Sequence, residues 1–200
     1  GVWTGGPVGF AHRRLAIIDI SGGQQPMVSP DSGAVLTFNG EIYNYRELRQ
    51  TLAADGFACR GASDTEVVLR AFERWGDSCV DRLRGMFAFA VWNPRTGTLL
   101  AARDRLGIKP LYYRWTAGTL TFASELKAIL AADPDVAARL DPYSFDRYLR
   151  LQYVPAPYTM VTGVRQLMPG CTLTLSTEGR PVERRYWQAR ATACGPQTVD

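Results

Sequence analysis

Four short segments concentrate the side chains that could do chemistry: HRRLAIID (12–19), NGEIYNY (39–45), SDTE (63–66) and RDRLGIKPLYY (103–113). An arginine such as Arg14 offers a planar, permanently charged fork suited to a carboxylate, and an aspartate such as Asp64 suits a cation. Each residue also has a plain structural reading. An arginine in a strand is commonly a solvated charge, and Asp64 before Glu66 reads as a helix cap. Asn39-Gly40 reads as a hairpin turn. His12 is the single histidine and invites assignment as a general base. Cys59, Cys79, Cys171 and Cys194 show neither metal-ligand spacing nor a pairing pattern, and one histidine leaves a His/Cys zinc site short of ligands. No metal site is expected.

The elements that must position these residues follow from pattern. Val8 to Ile18 reads as a strand carrying the basic HRR cluster. Ser21 to Asp31 is loop, with Gly22-Gly23 and two prolines. Ala34 to Phe38 is a short buried strand ending at the Asn39-Gly40 turn pair. Asn44 and Glu47 predict a capped helix through Leu48 and Leu52, closed by Gly56. Ser63 and Glu66 repeat that pattern before a helix with Val67, Val68, Leu69, Phe72 and Trp75 apolar on one face, stopping at Gly76. Met86 to Trp92 and Leu99 to Arg103 form a hairpin, as do Leu111 to Trp115 and Thr119 to Ala123. Short helices are expected at Ser124 to Leu130 and from Asp141-Pro142 to Leu149, and a last hairpin joins Cys171 to Ser176 with Val182 to Trp187. Hairpins with inserted amphipathic helices predict an α+β fold of antiparallel sheets covered by helices, not a doubly wound one.

Composition agrees with one globular domain. The 200 residues are 46% hydrophobic, enough for a substantial core. The net charge of +4 comes almost entirely from scattered arginines, since Lys109 and Lys127 are the only lysines. No basic run forms a nucleic-acid patch, and no apolar stretch reaches membrane-spanning length. Scattered cysteines without a pairing pattern read as reduced thiols, hence a cytoplasmic protein.

In their order and spacing, HRRLAIID, NGEIYNY, SDTE and RDRLGIKPLYY resemble the glutaminase (class II amidotransferase) domain of glutamine-hydrolysing asparagine synthetases. The resemblance runs from about Pro7 to Trp187. It implies an N-terminal-nucleophile hydrolase fold, an αββα sandwich of two antiparallel sheets with outer helices. It also divides the chain into a glutaminase domain, 1–187, and a tail or linker start, 188–200. L-glutamine becomes the expected ligand. Arg14 would clamp its α-carboxylate, helped by backbone groups near Ile17 and Ile18, and Asp64 would hold its α-ammonium. Asn39 and the Gly40 N–H would form the oxyanion hole, with Glu41 lining the pocket through its main chain. His12 is structural on this pattern. Arg103 to Tyr113, with Ala123-Ser124-Glu125, would face the synthetase domain of the same full-length protein, or simply pack the core. A homodimer stays open, with neither nucleic acid nor membrane as partner.

In such domains the nucleophile is an N-terminal cysteine whose own α-amine is the base. Only eleven residues precede His12 here, and none is a cysteine. The chain starts at Gly1 without a Met, as an internal fragment would. The fragment is therefore expected to be catalytically incompetent by itself, lacking the nucleophile and an early strand. No cofactor is placed on this segment, because ATP and magnesium would belong to the absent synthetase domain. Two other readings remain: an asparagine-synthetase-like amidotransferase acting on another carboxylate, or a non-catalytic amino-acid-binding or scaffold domain.

Overall fold

A computed structural model describes residues 1–13, 24–133, 136 and 139–190. Its strands are β1 (Val2–Gly5), β2 (Val8–Ala11), β3 (Met27–Val28), β4 (Val35–Ile42), β5 (Gly85–Asn93), β6 (Thr98–Arg103), β7 (Tyr112–Thr116), β8 (Thr119–Ala123), β9 (Val164–Gln166), β10 (Cys171–Ser176) and β11 (Val182–Arg185). Its helices are α1 (Tyr45–Ala54), α2 (Asp64–Trp75), α3 (Cys79–Arg82), α4 (Leu126–Ala132) and α5 (Pro142–Leu151). A 3-10 turn, Gly76–Ser78, joins α2 to α3.

All strand pairings are antiparallel. One sheet runs β11-β10-β6-β5-β4-β3, a second β8-β7-β9, and β1 pairs with β2 as a separate hairpin. The fold is thus α+β with antiparallel sheets, as expected. The described strands fall into three sheets rather than two, because the β1–β2 ribbon shares no ladder with its neighbours.

Side-chain alternation in β5 explains the layering. Phe87, Phe89 and Val91 join Leu36 and Phe38 in a core with Leu48 and Leu52 of α1 and with Val67, Val68 and Phe72 of α2. Ala88, Ala90 and Trp92 point the other way, packing with Phe10, Leu111 and Tyr113. A third cluster places Ile129 of α4 with Val164 and Tyr112. The order is therefore helices, large sheet, smaller sheets, helix.

Both amphipathic helices form where the pattern put them, but their caps differ from expectation. Ser63 Oγ accepts the Glu66 N–H at 3.3 Å. Glu66 does not reach back to Ser63; its carboxylate accepts from the Arg60 and Gly61 N–H groups at 2.7 and 2.6 Å, fixing the preceding loop. The Asn44 side chain makes no cap bond. Its amide donates to Arg82 O and accepts from Arg84 N–H at 3.0 and 2.9 Å, tying the start of α1 to the end of α3. A loop partner distant in sequence outcompetes the local cap. Arg70, buried on α2, joins Asp31 at 2.5 Å and Glu73 at 2.8 Å, holding the loop before β4 on the helix.

The expected strand from Val8 to Ile18 is observed as β2, ending at Ala11; 14–18 lie outside the described residues. A second difference concerns Asn39-Gly40. These residues do not turn the chain: β4 continues through them to Ile42, with Asn39 opposite Ala88 and Gly40 opposite Phe87. The expected loop of 21–31 also contains β3, which pairs with Val35 and Leu36.

The RDRLGIKPLYY motif folds around its second residue. Asp104 is fully buried, and its carboxylate accepts N–H groups from Leu106, Ile108 and Lys109 at 2.9 to 3.1 Å and from Phe87 at 3.2 Å. Arg103 donates to the carbonyls of Lys109, Gly107 and Leu167. Arg103, Asp104, Leu111 and Tyr113 of the motif thus pack into the core, while Leu106 and Ile108 stay exposed. Replacing Asp104 by Asn turns an acceptor-only group into one that presents an N–H₂ to several N–H donors. Asp104→Asn should cost on the order of 3 kcal/mol, since hydrogen bonds to charged groups are the strong ones. Urea unfolding checks this; a loss below about 0.5 kcal/mol, the size of a neutral surface change, would contradict it.

Candidate glutamine site

The edge of β4 beyond β3 builds the site. In an antiparallel sheet, alternate residues turn their N–H and C=O to the same side. Phe87 exchanges both backbone bonds with Asp104 or its carboxylate, on the β6 side, so the Gly40–Phe87 pair opposite carries no ladder bonds. Gly40 therefore points its N–H and C=O outward, toward the β3 edge, along with Leu36, Phe38 and Ile42. β3 is only two residues long and covers β4 no further than Leu36.

Two side chains take over where β3 stops. Gln25, 8% exposed, accepts the Phe38 N–H at 2.6 Å and donates to Phe38 O at 2.9 Å, as a neighbouring strand would. Asp64, at the start of α2, accepts the Ile42 N–H at 3.0 Å. Gly40 lies between them. Among the described residues its N–H has no hydrogen-bond partner.

Glycine is required there by space, not by φ. A Cβ on Gly40 would lie 2.2 Å from Met86 O and 2.7 Å from Phe87 Cα. Gly85 meets the same constraint from the opposite strand, where a Cβ would lie 2.1 Å from Glu41 O. The two strands are pinched together at this end, so the glycine that looked like turn chemistry serves close approach.

This edge opens into a cavity of about 920 Å³ lined by Gln25, Thr37, Asn39, Gly40, Glu41 and Asp64. Asn39 shares the alternation of Val35 and Thr37, which turns it to the side of the smaller sheets. Ala88 and Ala90, opposite Asn39 and Thr37, are small enough to leave that space open. The far wall comes from Phe10, Leu111, Leu120 and Phe122, with Lys109, Ser124 and Glu125 also lining the space.

Burial pushes the Asp64 carboxyl above the usual carboxylate range, with nearby Glu41 adding to the rise, against the lowering effect of backbone N–H groups from Ile42 and Thr65. An ionised Asp64 is thus under-compensated, the condition in which a cationic ligand is welcome. His12 Nδ1 lies 3.0 Å from Thr37 Oγ1, and His12 and Arg13 both line the cavity.

Of the residues singled out from sequence, Asn39, Gly40, Glu41 and Asp64 come together on one cavity. Arg14, Ile17 and Ile18 lie outside the described residues; Arg13 lines the cavity. Lys109 and Ala123 to Glu125, expected on a domain-facing surface, line this cavity too. Gln25 was missed: it sits in a Gly/Pro-rich loop, where no periodicity points to it. Cys59, Cys79 and Cys171 are free thiols, and none lines the cavity. Burial pushes all three thiols up, away from the reactive thiolate. No group of His, Cys, Asp and Glu suited to a metal ion occurs among the described residues. No described helix is long and apolar enough to cross a membrane.

Comparison with known proteins gives the family of the chain. A family model described as a glutamine amidotransferase domain matches residues 1–187. Asparagine synthetase (glutamine-hydrolyzing) 3 of Bacillus subtilis is 42% identical over 193 residues, covering 95% of this chain and 31% of that protein. A putative asparagine synthetase of Mycobacterium tuberculosis is 42% identical over 204 residues, 98% of this chain and 31% of its own length. The chain therefore spans about a third of these relatives. Among solved structures, the glutamine phosphoribosylpyrophosphate amidotransferase of B. subtilis, complexed with ADP and GMP, superposes with a TM-score of 0.58 at 22% identity. It covers 82% of this chain and 32% of that one, a likeness of fold alone. The chain belongs to the glutamine amidotransferase domain family and is homologous over nearly its whole length to part of the glutamine-hydrolysing asparagine synthetases.

Proposed function

We propose that this domain binds L-glutamine in the β4-edge cavity and is the glutaminase part of a glutamine-dependent asparagine synthetase. The observation that carries this reading is the outward-facing Gly40 peptide, held between Gln25 on Phe38 and Asp64 on Ile42. A backbone N–H aimed into a partly apolar cavity, beside the Asn39 amide, is what a negative oxygen developing on a carboxamide needs. The sandwich is read in the same way, as an N-terminal-nucleophile hydrolase αββα fold; the layer order and the amidotransferase likeness support it.

In this pose the amide oxygen accepts from Gly40 N–H and Asn39 Nδ2, and Asp64 takes the α-ammonium. Arg14 clamps the α-carboxylate, with backbone near Ile17 and Ile18, and Glu41 lines the pocket. Hydrolysis converts glutamine and water to glutamate and ammonia. The ammonia would amidate aspartate activated by ATP in the synthetase part, to which ATP and magnesium belong on this reading. Leu106 and Ile108, 72% and 54% exposed on the loop that Asp104 organises, together with Ser124 and Glu125, suit a contact with that part.

A binding-only reading of these 200 residues is favoured by the cysteines, since no described thiol reaches the cavity. The chain should therefore bind L-glutamine without releasing ammonia from it. Calorimetric titration with an ammonia assay checks both; turnover above buffer would contradict this reading. Asp64→Asn should weaken binding roughly 10- to 100-fold and Asn39→Ala roughly 10-fold, the range for charged and neutral hydrogen bonds. Unaffected binding would remove both residues from the site. Gly40→Ala should destabilise the fold by about 1 to 3 kcal/mol, because Met86 and Phe87 must give way.

The pH dependence has a definite sign. Folding raises the Asp64 pKa, so its ionised form costs stability above that pKa, and the cost fades as acid protonates it. An ammonium ligand needs the ionised form. Glutamine affinity should be full above the raised pKa and fall as pH drops through it, at a higher pH than for an exposed carboxylate. Titration across pH checks this; Asp64→Asn should flatten the profile.

A further inference from the structure

We infer that Gln25 is a positioning residue for the Asn39–Gly40 pair, acting through the backbone of Phe38. The inference rests on the oxyanion role proposed above for that pair. β3 pairs with Val35 and Leu36 and then ends, so the next outward-facing residue of β4, Phe38, would meet no strand. The Gln25 carboxamide supplies both missing ladder bonds, at 2.6 and 2.9 Å, from a side chain that is nearly fully buried. A carboxamide is the side chain equivalent of a peptide group, with one acceptor and a donor on the same plane. It therefore completes the ladder without adding a strand.

That economy matters for Asn39 and Gly40, the next residues along β4. A longer β3 would continue along the edge and consume the Gly40 N–H. A shorter edge with no Gln25 would leave Phe38 unpaired beside the cavity and free β4 to twist at Asn39. Gln25 ends the pairing one residue short of Asn39 and fixes the strand there. On the other flank, Asp64 fixes Ile42 and the pinch against β5 fixes Gly40 itself. The segment that would receive the amide oxygen is held on each side and left open in the middle. No other described side chain bonds the Phe38 N–H or C=O.

The test is two-dimensional 1H–15N NMR of the 200-residue chain, without ligand and titrated with L-glutamine. Gln25→Met keeps the length of the side chain and removes both bonds. Its Gly40 backbone and Asn39 side-chain resonances should move in the ligand-free chain, and its glutamine affinity, read on folded molecules, should fall about tenfold, the size of one lost hydrogen bond. Val80→Ala, which opens the core at α3, is the control for a merely structural loss: it should lower thermal stability while leaving those resonances and the affinity near the parent values. Should Gln25→Met not fold, Gln25→Glu is read instead, since it keeps the acceptor for Phe38 N–H and loses the donor to Phe38 O; the same resonances should move. Resonances of Asn39 and Gly40 that coincide with the parent in the folded variant would overturn the inference. Failure of the parent chain to bind glutamine would instead overturn the proposed function, and the ligand-free resonances would still decide the role of Gln25.

Discussion

The site depends on one peptide group that the sheet leaves unpaired. β4 is pinned against β5 so closely at Gly40 that a single added carbon would strike Met86 O, and the alternation of the antiparallel ladder turns the Gly40 N–H away from β5. An unpaired N–H costs free energy if it is buried without a partner, so folds normally bond it internally. Here, among the described residues, it has no partner, and Gly40 lines the cavity. Everything around the glycine serves to keep that arrangement: the short β3, the Gln25 carboxamide, the Asp64 carboxylate, and small alanines opposite Thr37 and Asn39 that leave room for a ligand.

On the proposed reading, Asp64 would make the same trade between stability and binding. Burial raises its pKa, so the ionised form that a ligand ammonium needs is disfavoured in the free chain. A cation bound there would relieve that cost, and a ligand that binds only the folded state would also stabilise it by mass action. The Asp104 loop is organised differently. Its carboxylate is matched by N–H donors within the protein, and it presents exposed Leu106 and Ile108 outward without needing a ligand. The two aspartates differ in their surroundings: Asp64 lines the cavity, and Asp104 is fully buried among N–H donors.

Much of this was legible in the sequence, but by unequal routes. The apolar spacing of Leu48 and Leu52, and of Val67, Val68 and Phe72, located α1 and α2, and hydrophobic runs located β5 and β6. Local pattern failed where a long-range partner decided the outcome. Asn44 looked like a cap and instead bonds Arg82 and Arg84, some forty residues away. Asn39-Gly40 looked like a turn because that pair so often adopts positive φ; its real constraint, contact with β5, lies on another strand. Gln25 carried no signal, since a glutamine in a Gly/Pro-rich loop has no period and its partner, Phe38, lies thirteen residues on. Asn39, Gly40, Glu41 and Asp64 could be grouped only through the family pattern, because nothing local says that a strand and a helix start will share a cavity.

The most direct measurement is a crystal structure of the chain with L-glutamine bound. The expected complex has the ligand amide oxygen within hydrogen-bond distance of the Gly40 N–H and Asn39 Nδ2, with its α-ammonium on Asp64 and the Gln25–Phe38 pair intact. Glutamine seated elsewhere, or a Gly40 N–H bonded within the protein in that complex, would contradict it.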